Sequence, residues 1–249
     1  MQKKLALRFV MGVAALSLAS EGVFAACDDV SRADLVTAAT GVVPGDNGGL
    51  NFPMWVTVVD ETGKVCHVVN TNGEGDNSNA AWLGSRVISA QKANTANAFS
   101  HDGLALSTAN LYSPVQPGES LFGLQESNPV DASRAYRGNP NNYGSNGDPL
   151  KNRRIGGVNV FGGGLALYDE DGKIGAIGVS GDTSCTDHVV AWKIREALGL
   201  GVASAGFPGG VAPSGTDALI QPAGPGTFGH PLCPFNPDNT QDGGSIDGN

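Results

Sequence analysis

VNVFGGGLALYDEDGKIGAIGVSGDTSCTDH, residues Val158 to His188, decides how this chain is read, because a glycine-rich turn, a hairpin and a second glycine-rich turn lead there directly into a helix. Leu165 and Leu167 precede, and Ile174, Ala176 and Ile177 follow, the turn Asp169-Glu170-Asp171-Gly172. Alternation around an Asp-Gly pair, whose residues accept the positive φ of a tight turn, reads as two antiparallel strands. The second strand ends at Gly178-Val179-Ser180-Gly181, and a helix starting near Ser184 or Thr186 runs through Val189, Val190, Ile194, Ala197 and Leu198 to Gly199. Ser184 with Asp187 three residues later approximates a capping box.

Upstream, Met54 to Val59 and Lys64 to Val69 form an earlier hairpin around Asp60-Glu61-Thr62-Gly63. Both hairpins carry the string D-E-x-G-K, but each turn is too short for a calcium loop, so its acidic residues read as solvated turn residues. Ser31 caps a short helix to Thr40, followed by a glycine-rich link, Gly41 to Gly49. The longest helical signal, Gly84 to Phe99, places Val87, Ile88, Ala90, Ala93, Ala96 and Phe99 at helical spacing, and its alanines predict close packing on a sheet.

Two regions depart from this regular pattern. Residues 128–157, rich in Gly, Asn, Pro and Arg, are too long and polar for an ordinary connection and read as a functional lid or insertion, an edge cover or a subunit contact, or simply as disordered chain. Arg134, Tyr136, Arg137 and Tyr143 within it suit an acidic or aromatic ligand. Beyond Leu200 the Gly/Pro-rich tail is expected to wrap the body and to become mobile after Cys233. The division expected is a leader over 1–25, one domain over 26–200 and an extension over 201–249.

Lys3, Lys4 and Arg8 precede an apolar run from Phe9 to Ala19, and small residues close the segment at Ala25, the pattern of a secretory signal peptide. The run is too broken and short for a membrane span, and Phe24-Ala25-Ala26 before Cys27 lacks the aliphatic residue of a lipidation site. Loss of Lys3, Lys4, Arg8 and Glu21 moves the formal charge from −9 to −11. Nucleic acid and anionic membranes need clustered Lys and Arg, so neither is expected as a partner, and Lys151-Asn152-Arg153-Arg154 is the only basic cluster. Four cysteines in an exported, periplasmic or secreted chain predict two disulfides with three pairings open. Cys185–Cys233 and Cys27–Cys66 are favoured, the first tying the tail to the body and the second pinning the mature N-terminus to a strand. No two cysteines have the C-x₂₋₄-C spacing of a zinc site.

Four blocks resemble the GlcG/HbpS-like haem-binding family, which includes the C-terminal domain of PduO-type proteins. They are WVTVVDETGKVCHVV, SRVISAQKANTANAFS, SLFGLQESNP, and GGVNVFGGGLALYDEDGKIGAIGVSGDTSCTDH with the helix after it, together most of Trp55 to Gly199. G-A-I-G-V-S-G after an Asp-Gly hairpin is the specific element. The resemblance implies an α+β fold, a central antiparallel β-sheet with packed helices, frequent homo-oligomers, and haem or another tetrapyrrole as ligand. The 128–157 loop insertion and the irregular C-terminal extension depart from it.

Haem iron needs an axial donor, most often an imidazole, in an apolar pocket. Of His67, His101, His188 and His230, His188 is the first candidate, in the first turn of a helix after the Gly-rich turn. His67 faces the core with Val65 and Val69 if those do. His101 follows a helix C-terminus, and His230, in the tail, ranks last. Gly163, Gly181 and Asp182 complete the candidate ligand surface around His188. Gly178-Val179-Ser180-Gly181 is not a G-x-S-x-G nucleophile elbow, and neither a P-loop nor a dinucleotide fingerprint is present. Two functions from different classes follow: an exported protein that sequesters or senses haem, or a small-molecule enzyme using Asp182, Asp187 and His188 in a polar cleft. A structural or assembly role is the third.

Overall fold

The computed structural model describes residues 25–43, 47–72, 80–201, 209–212, 214–234 and 245–246. All but the last residue of the expected leader, and the stretch after Cys233 from 235 to 244, lie outside them. In chain order the elements are α1 (Ala25–Asp29), α2 (Arg32–Val42), β1 (Trp55–Asp60), β2 (Val65–Asn70), α3 (Leu83–Phe99), α4 (Leu124–Ser127) and α5 (Ala132–Ala135). They continue with β3 (Gly164–Tyr168), β4 (Lys173–Ser180), α6 (Ser184–Ala197), β5 (Leu219–Ile220) and β6 (Ser245–Ile246). No helix among the described residues is long and apolar enough to cross a membrane.

The two hairpins join through their inner strands into one antiparallel sheet of order β2-β1-β4-β3. Helices cover both faces, so β1 is buried at all six positions rather than alternating with solvent. On one face, Trp55, Val59, Val65, Val68 and Ala176 meet Val87, Ala90, Ala93 and Ala96 of α3. On the other, Val56, Val58, Leu165, Leu167, Ile177 and Val179 pack with Leu35 and Ala39 of α2 and Val190, Ala191 and Ile194 of α6. The alanines of α3 let it approach the sheet closely, and Gly178 completes the fit. A Cβ there would lie 2.5 Å from the Ala93 nitrogen and closer still to the Ser89 carbonyl oxygen.

Both turns are held by their own carboxylates. Asp60 accepts hydrogen bonds from the Thr62 and Lys64 backbone N–H groups, at 2.9 and 3.0 Å, and Asp169 accepts from Asp171 and Gly172. Although burial acts to raise it, the bonds from Thr62 and Lys64 hold the Asp60 pKa below its usual value.

One detail of β2 breaks simple alternation. Val58 faces His67 but Val59 faces Val65, so Cys66 is an extra residue in the strand, a β-bulge. The expectation that Val65 shares a face with His67 and Val69 is therefore corrected: Val65 packs under α3, whereas Val69 and Cys66 belong to the opposite core. The bulge turns Cys66 toward α1, where it is disulfide-bonded to Cys27. The second disulfide, Cys185–Cys233, joins the start of α6 to the tail.

An exposed edge strand offers unpaired N–H and C=O groups, and here both edges are covered. Residues 128–157 run along β2, where Val65 donates to the Arg153 carbonyl and Asn152 donates to the Val65 carbonyl, each at 2.8 Å. Of the readings open to this segment the structure shows edge cover, and the disordered one is corrected, since 128–157 is held against the sheet edge by these bonds. Asp148 anchors it, accepting from the Gly144 and Leu150 N–H groups and pairing with the buried guanidinium of Arg86, on which the Tyr143 ring stacks. At the other edge, Tyr168 donates to the Leu200 carbonyl and the Gly164 N–H to Thr108 Oγ1. The tail is tied down by a bidentate pair, Arg195 to Asp217 at 2.7 and 2.9 Å, with both side chains fully buried.

Candidate functional site

The N-terminus of α6 organises the region that the sequence singles out. Its cap is Thr183, whose hydroxyl accepts from the Thr186 N–H, so the expected Ser184–Asp187 capping box is not the device used. The Asp187 carboxylate instead turns back, accepting from the Gly181 and Asp182 N–H groups, both at 3.0 Å. Its other oxygen meets the Lys92 ammonium of α3 at 2.7 Å, and Lys92 also donates to the Val179 carbonyl. Burial dominates both groups: it pushes the Asp187 pKa up to about 6 and lowers that of Lys92. The pair thus ties α6, the end of β4 and α3 together from inside.

Gly163 and Gly181 serve this packing. Gly163 has φ +115°, and a Cβ on it would lie 2.9 Å from Asp187 Cβ and 3.1 Å from Lys92 Nζ. At Gly181 a Cβ would lie 2.7 Å from both the Pro53 carbonyl oxygen and Met54 Cα. The Asp182 carboxylate accepts from the backbone N–H groups of Leu50, Phe52 and Thr183, fixing the loop that enters β1. His188 is fully buried, its ring tilted toward Trp192, and its Nε2 accepts from the Leu219 N–H of the tail at 3.2 Å. Asp182 and His188 are thus engaged by different backbone segments, and the polar cleft expected to hold both is not formed among the described residues.

The other histidines differ sharply. His101 is exposed, with Nδ1 accepting from the Gly103 N–H. His67 Nε2 donates to the Val30 carbonyl at 2.9 Å, and its pKa is lowered by burial, aided by the Lys151 charge. His230 is 2% exposed, with Nδ1 donating to the Pro231 carbonyl at 2.9 Å. A carbonyl only accepts, so the proton sits on Nδ1 and Nε2 keeps its lone pair. Nε2 is buried without a hydrogen-bond partner, and burial lowers the His230 pKa to about 4, which keeps the ring neutral near pH 7.

Three cavities stand out among the described residues. One of about 440 Å³ is lined by Val30, Ala38, Val42, Leu198 and Leu200, and one of about 450 Å³ by Arg32, Ala33, Val36, Thr37 and Asn146. Neither contains a histidine. The third, about 320 Å³, is walled by Tyr112, Phe161, the Cys185–Cys233 disulfide, His230 and Leu232, with residues of the α6 N-terminus. His188, Gly163, Gly181 and Asp182 line none of the three. Donor atoms of Cys185, His230 and Cys233 lie within 4.8 Å of one another, but the two sulfurs are joined, which removes the thiolates that a metal would need.

In the insertion, Arg134 pairs with Asp131 on the surface, Tyr136 and Arg137 are exposed, and Tyr143 lies against Arg86, so these four residues do not converge on one site. Lys92, Tyr112 and Phe161 are the residues that sequence reasoning missed. The signal for Lys92 was present: a cation next to Ala93 and three residues after Ser89, on the apolar side of a helix, requires a buried partner.

A search of curated proteins finds no match. Among solved structures the chain is similar to the Klebsiella pneumoniae protein ORFY of the DUF336 family, at 25% identity and a TM-score of 0.43, over 70% of this chain and 88% of that one. It is also similar to a structure described as a PduOC:heme complex, at 24% identity and a TM-score of 0.46, over 68% of this chain and 94% of that one. The family described as haem degrading protein HbpS-like matches residues 33–196. That span takes in both hairpins, α3 and nearly all of α6, and the chain belongs to this HbpS-like family.

Proposed function

We propose that this protein is an exported haem-binding protein that sequesters or senses haem, and that it works as a homo-oligomer. The family match over 33–196 carries the reading. Export rests on the leader pattern of residues 1–25 and agrees with two disulfides, which persist in oxidising compartments.

The donor chemistry fits a haem. Haem iron takes an imidazole nitrogen with a lone pair, and the macrocycle takes apolar and aromatic walls. His230 offers such a nitrogen, beside Tyr112, Phe161 and Leu232. The donor expected from sequence, His188, together with Gly163, Gly181 and Asp182, remains a second place to test. There a ligand must displace the Leu219 N–H from Nε2. When bound, haem supplies an iron centre for ligand exchange or redox chemistry, and the residues named here bind and orient it.

Haemin titration of the mature, oxidised protein, followed by Soret absorbance, tests the reading. Saturable one-to-one binding per protomer is expected, with a Soret band that shifts on reduction but is not bleached by reductant or peroxide. Bleaching with release of iron would move the reading from sequestration to degradation, and absence of saturable binding would overturn it. Light scattering of the same sample reads the oligomer, and a monomer would remove that part of the proposal.

A further inference from the structure

Tail residues lie outside the family-matched span, yet they wall the one histidine-containing cavity of the three. We propose that the C-terminal extension supplies the haem donor of this protein, His230 Nε2, and that the Cys185–Cys233 disulfide holds it at the α6 N-terminus. This inference rests on the haem reading and says where on the chain the ligand is held.

Four observations support it. First, His230 is oriented as a donor: Nδ1–H is committed to the Pro231 carbonyl, and Nε2 is buried with no partner. A buried nitrogen left in this state is unfavourable, a penalty that coordination would remove. Second, the ring walls an apolar cleft, with the Tyr112 ring centroid 5.9 Å away and Phe161 a further 6.2 Å from Tyr112. Third, the backbone around it is pinned. The His230 N–H donates to the Ile220 carbonyl, Ser113 donates to the Gly229 carbonyl, and the Cys233 N–H donates to Gln221 Oε1. With Cys233 also bonded to Cys185, the imidazole is fixed between two anchors. Fourth, the other histidines lack this combination. His188 Nε2 already accepts a hydrogen bond, His101 is exposed, and His67, whose Nδ1 is also unpartnered, lines none of the three cavities.

At about 320 Å³ the cleft is near the lower end of ligand sites, roughly 300–1,000 Å³. With His230 Nε2 itself buried, the cleft must widen when the macrocycle enters. Phe161 and Leu232, 43% and 55% exposed, are large apolar residues of the cleft lining that are not buried in the core.

The test is haemin titration of the full mature chain, with Soret and electron paramagnetic resonance spectra, for the wild type and for His230→Ala, His188→Ala and Leu232→Trp. The wild type is expected to show a histidine-ligated spectrum. His230→Ala should lose it and bind at least tenfold more weakly, and added imidazole should restore it. Leu232→Trp changes an exposed side chain and crowds the cleft, so it should weaken binding while near-ultraviolet circular dichroism stays native. If His230→Ala keeps the wild-type spectrum and affinity, the assignment to His230 falls while haem binding stands, and loss of the spectrum in His188→Ala alone would return the donor to α6. If the wild type itself shows no saturable binding, the haem reading and this inference fall together.

Discussion

Replacing Gly178 with alanine tests the closest approach in the fold. A Cβ at this position would lie 2.5 Å from the Ala93 nitrogen and nearer still to the Ser89 carbonyl oxygen, both backbone atoms of α3. Neither can rotate away, so the helix must move off the sheet by roughly 1 Å to restore ordinary contact, and a gap of about 0.5–1 Å already forfeits a quarter to a half of each dispersion contact. The shift also pulls Ser89 from its 2.8 Å hydrogen bond with Thr57 on β1, worth about 1 kcal/mol. Overpacking costs about 1–3 kcal/mol or more, and reduced entropy of the unfolded chain returns about 0.4–1 kcal/mol. The net expectation is a loss of about 2–4 kcal/mol, or a Tm lower by roughly 5–15 °C for a chain of this size. Gly41 is the matched control: it lies in α2 with nothing within 4 Å of its Cβ position, so Gly41→Ala should stabilise by about 0.5–1 kcal/mol. Thermal and urea unfolding of both variants read the contrast. Gly178→Ala within about 1 kcal/mol of the wild type would refute the close packing of α3 on β4.

Three further outcomes follow from the same structure. Each disulfide closes a long loop, with sequence separations of 39 and 48, so serine replacement of both partners of either should cost about 4 kcal/mol by loop entropy, read by urea unfolding. Asp217→Asn leaves the Arg195 guanidinium buried and charged without its carboxylate and should destabilise by about 3–5 kcal/mol, whereas an apolar double replacement, Arg195→Met with Asp217→Leu, should recover much of that loss. The folded His67 pKa is lowered by burial, so the unfolded chain binds the proton first as pH falls below about 6.5, and stability should drop there. His230, whose pKa burial lowers to about 4, adds to the same slope, so His67→Gln should reduce it between about pH 7 and 5 without removing it, measured by unfolding at each pH, and an unchanged slope would place the titrating group elsewhere.

The hairpins were legible because alternation and Asp-Gly turns are local signals, and α3 was legible from its spacing to within one residue of its observed start. The α6 start was legible, but not which hydroxyl caps it. Thr183 takes that place while Asp187 is engaged by the Gly181 and Asp182 N–H groups and Asp182 by those of Leu50 and Phe52, about 130 residues away in sequence. The bulge at Cys66 left no local mark, since its cause is the cross-strand register with β1. Residues 128–157 read as an insertion from composition, but their role as an edge strap depends on Arg86, 62 residues from Asp148 in sequence.

The candidate site shows the same division. The sequence by itself determined two antiparallel hairpins, an alanine-rich helix built for close packing, an acidic chain with an even number of cysteines, and a family resemblance, because each is written in composition or in neighbours along the chain. Only the tertiary structure decided which histidine keeps a lone pair beside a cleft. His188 sits beside a glycine-rich turn in sequence, yet the tail closes over it and Leu219 occupies its Nε2. His230, in an irregular stretch with no periodicity, is placed against Tyr112 and the α6 N-terminus by a disulfide and by hydrogen bonds to distant backbone. Burial and hydrogen-bond partnership of a side chain are set by segments far apart in sequence, and local pattern carries no record of them.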